Sequence, residues 1–282
     1  MNLRKTYPVV LSIAGSDSSG GAGIQADLKT FSALGVYGAT AITAITAQNT
    51  QGVHSQLAID PQMVYDQIVA VMDDLRPSCV KIGMLSNSEV VMAVAEALSR
   101  YPTHIILDPV IVSTTGHRLL SLDAQEVVKQ RLLPYSMLVT PNIPEMAALT
   151  NQPVNTLHDK EHAAITLLDY GAKAILLKGG HEEGGTKSDI LFTASESGIQ
   201  HTIFTADTIS TRNTHGTGCT LSSAIAAYVA QGYDIVEAIS EAKSFITKAI
   251  RHGADVEIGH GHGPVNHGFN PLKMIINEKH EL

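Results

Sequence analysis

Along most of the chain, short apolar runs alternate with longer amphipathic segments. The short runs are PVVLSIA (8–14), ATAITAITA (39–47), CVKIGML (79–85), HIILDPV (104–110), SMLVTPN (136–142) and KAILLKGG (173–180). They lack the period-two alternation of a half-exposed strand, so they predict strands buried on both faces. The longer segments predict helices over 23–34, 61–75, 88–100, 123–133, 159–170, 219–231 and 234–250. Strand and helix taken in turn predict an α/β fold, with a central, mainly parallel sheet, helices on both faces and right-handed crossovers. One segment departs from this: in DILFTASESGIQHTIFTA (189–206) two apolar runs flank SESG, which predicts a small antiparallel hairpin at the sheet edge. No linker, repeat or low-complexity tract breaks the pattern, so residues 1–282 are expected to form a single domain.

Composition narrows the function. Apolar residues make up 44% and charged residues 16%, enough to bury a sizeable core. Trp is absent, the formal net charge is −8 and there is no Lys/Arg-rich block, which argues against a nucleic-acid partner. Local phosphate binding by backbone amides stays open. The two cysteines, Cys79 and Cys219, are far apart, which is neither a disulfide framework nor a metal-binding pair and fits a reducing compartment. The basic start MNLRKTYPVVLSIAG has a short apolar run that leads straight into SDSSGG, so it reads as a first strand rather than a signal peptide. No apolar run reaches the ~18 residues of a membrane span. A cytoplasmic protein without membrane contact is expected.

In open parallel sheets, ligands bind beyond the carboxyl ends of the strands. GSDSSGG, QNT, ML, DPV, PNIPE and KGGH all end or follow predicted strands. Gly216, Thr217, Gly218 and Cys219 form GTGC at a predicted helix start, where free amides and the helix dipole suit a phosphoryl group in flight. Cys219 at that position is expected to have a lowered pKa; the plainer reading is a glycine turn packing a small cysteine. Gln48 offers a donor and an acceptor in one plane to an amino group beside a ring nitrogen, or else caps a strand end. Asn142 and Glu145 can orient waters around Mg²⁺, or else end a strand and begin a helix. Lys178 is placed to contact a nucleotide phosphate, or else simply ends a strand in a tight turn.

Other motifs are set aside. Gly21, Gly23 and Ala26 match G-x-G-x-x-A, but no acidic residue follows about 20 positions later and the preceding polar loop is too long, so the dinucleotide reading fails. No G-x-x-x-x-G-K-[ST] exists. His260, His262 and His267 in GHGHGPVNHG have no spacing that fixes metal geometry and no acidic or cysteine partner close by.

IAGSDSSGGAGIQADLKTFSALGVYG, TAQNTQGV, KIGML, TPNIPEMAAL, LLKGGH, NTHGTGCTLSSAIAA and GHGPVNH occur in this order over about residues 8 to 270. Together they closely resemble the hydroxymethylpyrimidine/phosphomethylpyrimidine kinases of thiamine biosynthesis, in the ribokinase-like superfamily. The resemblance implies a ribokinase-like fold and two successive phosphoryl transfers from ATP with Mg²⁺, onto an aminopyrimidine alcohol and then onto its monophosphate. It assigns the pyrimidine pocket to Gly15, Asp27, Gln48, Met84 and Val110. Asn142, Glu145 and Lys178 fall on the nucleotide side, Asp108 near the metal, and Gly216, Thr217 and Gly218 on the anion hole. Across the wider superfamily an aspartate commonly stands where Cys219 stands. A thiol suits both an alcohol nucleophile and an already anionic one, so Cys219 is either the base or a part of the anion hole. The resemblance also suggests a homodimer, with the 189–206 hairpin a candidate contact. STTGHR (113–118) is polar and follows DPVIV, which makes it a candidate lid over the phosphates. Pyridoxal kinase is the alternative within the class. A sugar kinase is disfavoured by Cys219 and Gln48, and a catalytically dead sensor by the intact GTGC, Lys178 and Glu145.

Overall fold

The computed structural model describes residues 3–112, 116, 119–180, 185–196 and 198–280. Its strands are β1 (Leu3–Thr6), β2 (Val9–Asp17), β3 (Tyr37–Asn49), β4 (Gly52–Ala58), β5 (Cys79–Ile82) and β6 (His104–Leu107), followed by β7 (Leu138–Val139), β8 (Ala174–Leu177), β9 (Thr186–Ser195), β10 (Gly198–Asp207) and β11 (Asn277–His280). The helices are α1 (Gly23–Ala33), α2 (Pro61–Asp74), α3 (Ser88–Leu98), α4 (Leu122–Arg131), α5 (Ile143–Thr150), α6 (Leu157–Asp169), α7 (Thr217–Ala230) and α8 (Ile235–Gly253).

Nine strands form one sheet in the order β10-β9-β8-β7-β6-β5-β2-β3-β4, and β1 pairs with β11 in a separate ribbon. From β3 through β2, β5, β6 and β7 to β8 every pairing is parallel. The expected hairpin is β9–β10, antiparallel at one edge. The other edge also closes with an antiparallel partner, β4, which the apolar pattern does not reveal. GVHSQLA is mostly solvent-facing, and an edge strand with no buried face has no apolar period to detect.

The central strands alternate between two cores. Leu11 and Ile13 of β2, Val80 and Ile82 of β5, Ile105 and Leu107 of β6, Val139 of β7, and Ile175 and Leu177 of β8 pack beneath α2 to α6. Val10, Cys79, Ile106, Leu138, Ala174 and Leu176, the residues between, pack beneath α1, α7 and α8. Successive side chains point to opposite faces of a strand, so burial on both faces turns each strand into an unbroken apolar run. Helix starts are set by short polar caps. Asp60 accepts from the amides of Gln62 (3.0 Å) and Met63 (3.2 Å) ahead of Pro61, and Asp234 accepts from Val236 and Glu237 (both 2.9 Å).

The central strands after β3 are shorter than the apolar runs suggest, because their carboxyl ends leave the sheet to build loops. Ladder hydrogen bonds nevertheless continue past those ends. Asp108 N–H donates to Ile82 O (2.8 Å), Thr140 N–H to Leu107 O (2.9 Å) and Lys178 N–H to Pro141 O (2.8 Å). These bonds hold Asp108, Thr140 and Lys178 in register along one rim of the sheet.

Candidate active site

Two register breaks mark this rim. The β2–β3 pairing slips between Ala14 and Ser16, at Gly15, and the β3–β4 pairing slips between Ala47 and Gln48. A bulge re-aims the side chain beside it. At Gly15 the chain presses against Met84: a Cβ there would lie 2.9 Å from the Met84 sulfur. Met84 joins Ala44 and Leu119 in a small apolar cluster flanked by Val53 and Val110. Gly15, Met84 and Val110 thus come together in one apolar patch. Gln48 pairs in register with Val53, which packs against that patch. Its backbone is pinned by Ser18, whose hydroxyl donates to Gln48 O (2.8 Å) and accepts from Gln48 N–H (2.9 Å).

The loop after β2 is organised by Asp17. One carboxylate oxygen accepts from the amide (2.8 Å) and hydroxyl (2.7 Å) of Ser19; the other accepts from Gly21 N–H (3.1 Å), Ala22 N–H (2.8 Å) and His215 Nε2 (2.8 Å). Burial alone would raise this carboxyl, but His215 and the Ser19 and Ala22 donors outweigh it and hold it well below the usual carboxylate range.

Next to His215, Gly216 caps α7 with φ +79°, a backbone shape that favours glycine, and a Cβ there would collide with the Gly21 carbonyl. The two glycine loops therefore interlock. The amides of Gly218 and Cys219 lie in the first turn of α7, where a helix supplies no carbonyl partner. Thr217 turns its hydroxyl back onto Thr214 O (3.0 Å).

Beneath Gly218 lies a charged cluster. Lys178 Nζ is 2.7 Å from Asp108 Oδ1 and 3.7 Å from Glu145 Oε2. Thr140 (3.3 Å) and Ser222 (3.1 Å) also donate to Asp108. Burial opposes the charge on Asp108 and on Lys178; each nevertheless keeps it, Asp108 shifted down chiefly by Lys178 and Lys178 shifted up chiefly by Asp108. Glu145 is pushed up to about 7, by burial first and by the charge of Asp108 against the pull of Lys178. Two buried carboxylates thus share one ammonium. Hard oxygen donors are the kind that could hold Mg²⁺, and Asp108 and Glu145 are the candidates here. Asn142 and Glu145 also form a reciprocal capping box at the start of α5, each side chain accepting from the other's amide at 2.8 Å. The helix-start reading of this pair is therefore correct, and it leaves the Glu145 carboxylate facing Lys178.

Two expectations change. The Cys219 thiol is raised to about 11, not lowered. Withdrawal from solvent is the largest cause; Lys81 pulls down, while Asp27 and Asp108 push up. The helix terminus does not overcome burial beside two carboxylates. Asp27, assigned to the pyrimidine pocket by resemblance, is fully buried. Its oxygens are taken by Lys81 Nζ (2.9 Å to each), Ser12 (2.5 Å) and Ser223 (2.6 Å). Asp27 is thus engaged in a closed ion pair with Lys81, with no oxygen exposed to solvent.

Three further side chains belong here that the motifs did not single out: Asp17, His215 and Thr46. Asp17 and His215 stand inside the quoted GSDSSGG and NTHGTGC stretches, so a polar residue beside each glycine turn was the available signal. In the tail, His267 is buried against the Thr220 hydroxyl (2.9 Å), and burial lowers it to about 4. His262 lies against Arg212 O (3.2 Å). Of STTGHR only Gly116 is among the described residues, so the candidate lid lies outside them, as does His181.

A mainly parallel sheet, a glycine-opened helix at its carboxyl rim and a lysine–carboxylate cluster beneath define a small-molecule kinase of the ribokinase-like class. The model of the family described as phosphomethylpyrimidine kinase matches residues 17–266. The hydroxymethylpyrimidine/phosphomethylpyrimidine kinase of Escherichia coli is 48% identical over 259 residues, covering 91% of this chain and 96% of its own. The crystal structure of phosphomethylpyrimidine kinase from Clostridium difficile 630 matches with a TM-score of 0.75 and 43% identity, over 86% of this chain and 99% of that one. Pyridoxal kinase from Staphylococcus aureus, in complex with AMP-PCP and pyridoxal, matches with a TM-score of 0.84 and 30% identity, over 97% and 99%. The chain belongs to the phosphomethylpyrimidine kinase family.

Proposed function

We propose that this chain phosphorylates 4-amino-5-hydroxymethyl-2-methylpyrimidine with ATP, first to the monophosphate and then to the diphosphate, in thiamine biosynthesis. The observation that carries the reading is one line of contacts. Gly216, at the start of α7, packs on the Gly21 carbonyl, Gly23 of the same loop packs on the Gly15 carbonyl, and Gly15 packs on Met84. The anion cradle of α7 is thereby linked to the apolar patch beside Gln48. A ring lying on Met84 and Val110 presents its amino edge to Gln48 and its hydroxymethyl group to Cys219.

In this reading the α7 amides and Lys178 stabilise the phosphoryl group as it moves. Asn142, Glu145 and Lys178 form the nucleotide side. Asp108 and Glu145 would hold Mg²⁺, which would offset the phosphate charge. Cys219 rests as a neutral thiol. A loose phosphoryl-transfer transition state asks little of a base, so the alcohol proton can leave late, to the transferred phosphoryl oxygens or to water, and a neutral thiol serves the alcohol step. It also leaves the anionic monophosphate unopposed in the second step. Asp27 and Lys81 support the Cys219 side of the pocket.

Both cores share one sheet, so we read residues 1–282 as one domain. We further propose a homodimer. Ile45 and Leu57 face each other in register on β3–β4 and are 50% and 68% exposed, which makes this face, more than the β9–β10 hairpin, the candidate contact. Among the described residues no helix is long and apolar enough to cross a membrane. The acidic balance favours small-molecule over nucleic-acid partners, and the cysteine usage favours the cytoplasm.

The test is ATP turnover of the purified chain with Mg²⁺, offering the hydroxymethylpyrimidine, its monophosphate and pyridoxal separately, with products resolved by mass. Conversion of both pyrimidines, with pyridoxal far slower, is the expected result. Turnover of pyridoxal alone would overturn the pyrimidine reading in favour of the activity carried by the Staphylococcus aureus neighbour.

A further inference from the structure

Gln48 Nε2 lies 3.3 Å from His215 Nε2, and Gln48 Oε1 lies 3.2 Å from the Thr46 hydroxyl. The two ends of a glutamine amide are told apart by what their partners can donate or accept. Here both partners are already committed. The Asp17 carboxylate accepts two bonds from Ser19, two from the Gly21 and Ala22 amides, and one from His215 Nε2 at 2.8 Å. An acceptor so crowded with donors is ionised, so His215 Nε2 must carry its proton and has no lone pair for Gln48. The Thr46 hydroxyl has one proton, and the nearer acceptor, Ser16 O at 2.9 Å, takes it. Its oxygen is then free only to accept. A nitrogen facing His215 and an oxygen facing Thr46 are therefore mismatched at both ends. Turning the amide by 180° satisfies both: Oε1 receives His215 Nε2–H, shared with Asp17, and Nε2–H donates to Thr46.

We infer that His215, locked by Asp17, and Thr46 are positioning residues that fix Gln48 with its carbonyl on the His215 side and its amino group on the Thr46 side. Both ends keep one unused hydrogen-bonding position, so Gln48 offers the ring an acceptor and a donor in a fixed order. That order matches an exocyclic amino group beside an unprotonated ring nitrogen. An oxo group beside a ring N–H demands the reverse order, and hence an inverted amide with both mismatches restored. The selection thus comes from residues that need not touch the ring. The proposal rests on the reading that Gln48 faces the pyrimidine edge.

The experiment compares kcat/KM for the 4-amino substrate with that for its 4-oxo analogue, in the intact chain and in Thr46→Val, His215→Leu and His215→Gln. A ratio within one variant cancels general damage, and Thr46→Val leaves the Gly216 loop untouched. The amino:oxo preference is expected to fall about tenfold or more in Thr46→Val and His215→Leu, the scale of one misplaced hydrogen bond. It should recover in His215→Gln, whose amide can still donate to Asp17. The KM ratio should carry most of the change. An unchanged ratio in Thr46→Val and His215→Leu would overturn the inference, as would loss of preference in His215→Gln equal to that in His215→Leu. If the intact chain turns over neither pyrimidine, the functional reading fails instead, and the two failures are distinct.

Discussion

Lys178 Nζ stands 2.7 Å from Asp108 Oδ1, and Glu145 Oε2 reaches the same ammonium at 3.7 Å. Lys178 follows β8, Asp108 follows β6, and the rim of the sheet brings them together under Gly218. Replacing Lys178 with Met leaves a buried Asp108 carboxylate without its cation. Breaking such a pair costs about 3 kcal/mol or more. The same change removes a positive charge from the phosphate path, so kcat should fall by roughly 100-fold or more. Denaturant melts and turnover measured on one preparation check both; full activity in Lys178→Met would remove Lys178 from the phosphate path.

Glu145 yields a pH prediction with a defined sign. Its folded pKa, about 7, lies above the ordinary 4.5. Between those values the folded chain binds more protons than the unfolded one, so this group's contribution to stability falls as pH rises through the window. Glu145→Gln removes the dependence. It also keeps the capping box, because glutamine serves at that position as well as glutamate. The variant should melt higher than the parent at pH 8, and the difference should shrink towards pH 4.5. Scanning calorimetry without nucleotide or metal measures this; a variant less stable than the parent at pH 8 would show that burial does not penalise the charge.

Cys219 and Cys79 should respond to alkylation in distinct ways. A thiol raised to about 11 carries little thiolate at pH 8, so labelling of Cys219 should be slow there and accelerate above pH 10. Cys79 is fully buried and should stay unlabelled while the fold holds. Mass spectrometry at timed intervals separates the two. Labelling of Cys219 with a midpoint near 7 would restore the thiolate-base reading. In the same vein, Cys219→Asp adds a third carboxylate near Asp27 and Asp108. The second phosphorylation, whose acceptor is anionic, should then slow about tenfold more than the first. The ratio of monophosphate to diphosphate reads this directly.

What the amino-acid sequence discloses depends on whether a physical signal is local. The central strands and most helices are legible because burial on both faces makes apolar runs, and the motifs at strand ends point to one rim. β4 is illegible because an exposed edge strand has no buried period. Gly15, Met84 and Val110 converge only through resemblance, since nothing local says that a bulge in β2 meets the loops after β5 and β6. The Cys219 expectation fails for a related reason. A helix start is visible in GTGC, but the burial and the two carboxylates that raise the thiol come from α1 and the end of β6. His215 and Thr46 lie inside the quoted NTHGTGC and TAQNTQGV stretches, but nothing local pairs them with Gln48; the donors and acceptors around its amide do.

Asp27 acts either as a substrate contact or as a structural anchor, and the two roles leave different kinetic traces. Resemblance places it on the pyrimidine, whereas the structure gives it Lys81, Ser12 and Ser223 in complete burial. The Lys81 ammonium loses more from burial than any single partner returns, yet Asp27 and the other negative groups together hold it above its usual value. Either single change, Asp27→Leu or Lys81→Met, strands one buried charge and should cost about 3–5 kcal/mol. The double variant strands none, so it should be clearly more stable than either single one, although Ser12 and Ser223 each lose an acceptor. Below the melting range of the double variant, KM for the pyrimidine should stay within about twofold of the parent, because the pair supports the pocket without touching the ring. If Asp27 binds substrate, the outcome differs in kind: KM rises tenfold or more in Asp27→Leu and stays raised in the double variant, however well the fold recovers. Urea melts and initial rates on the four proteins separate an anchor from a contact.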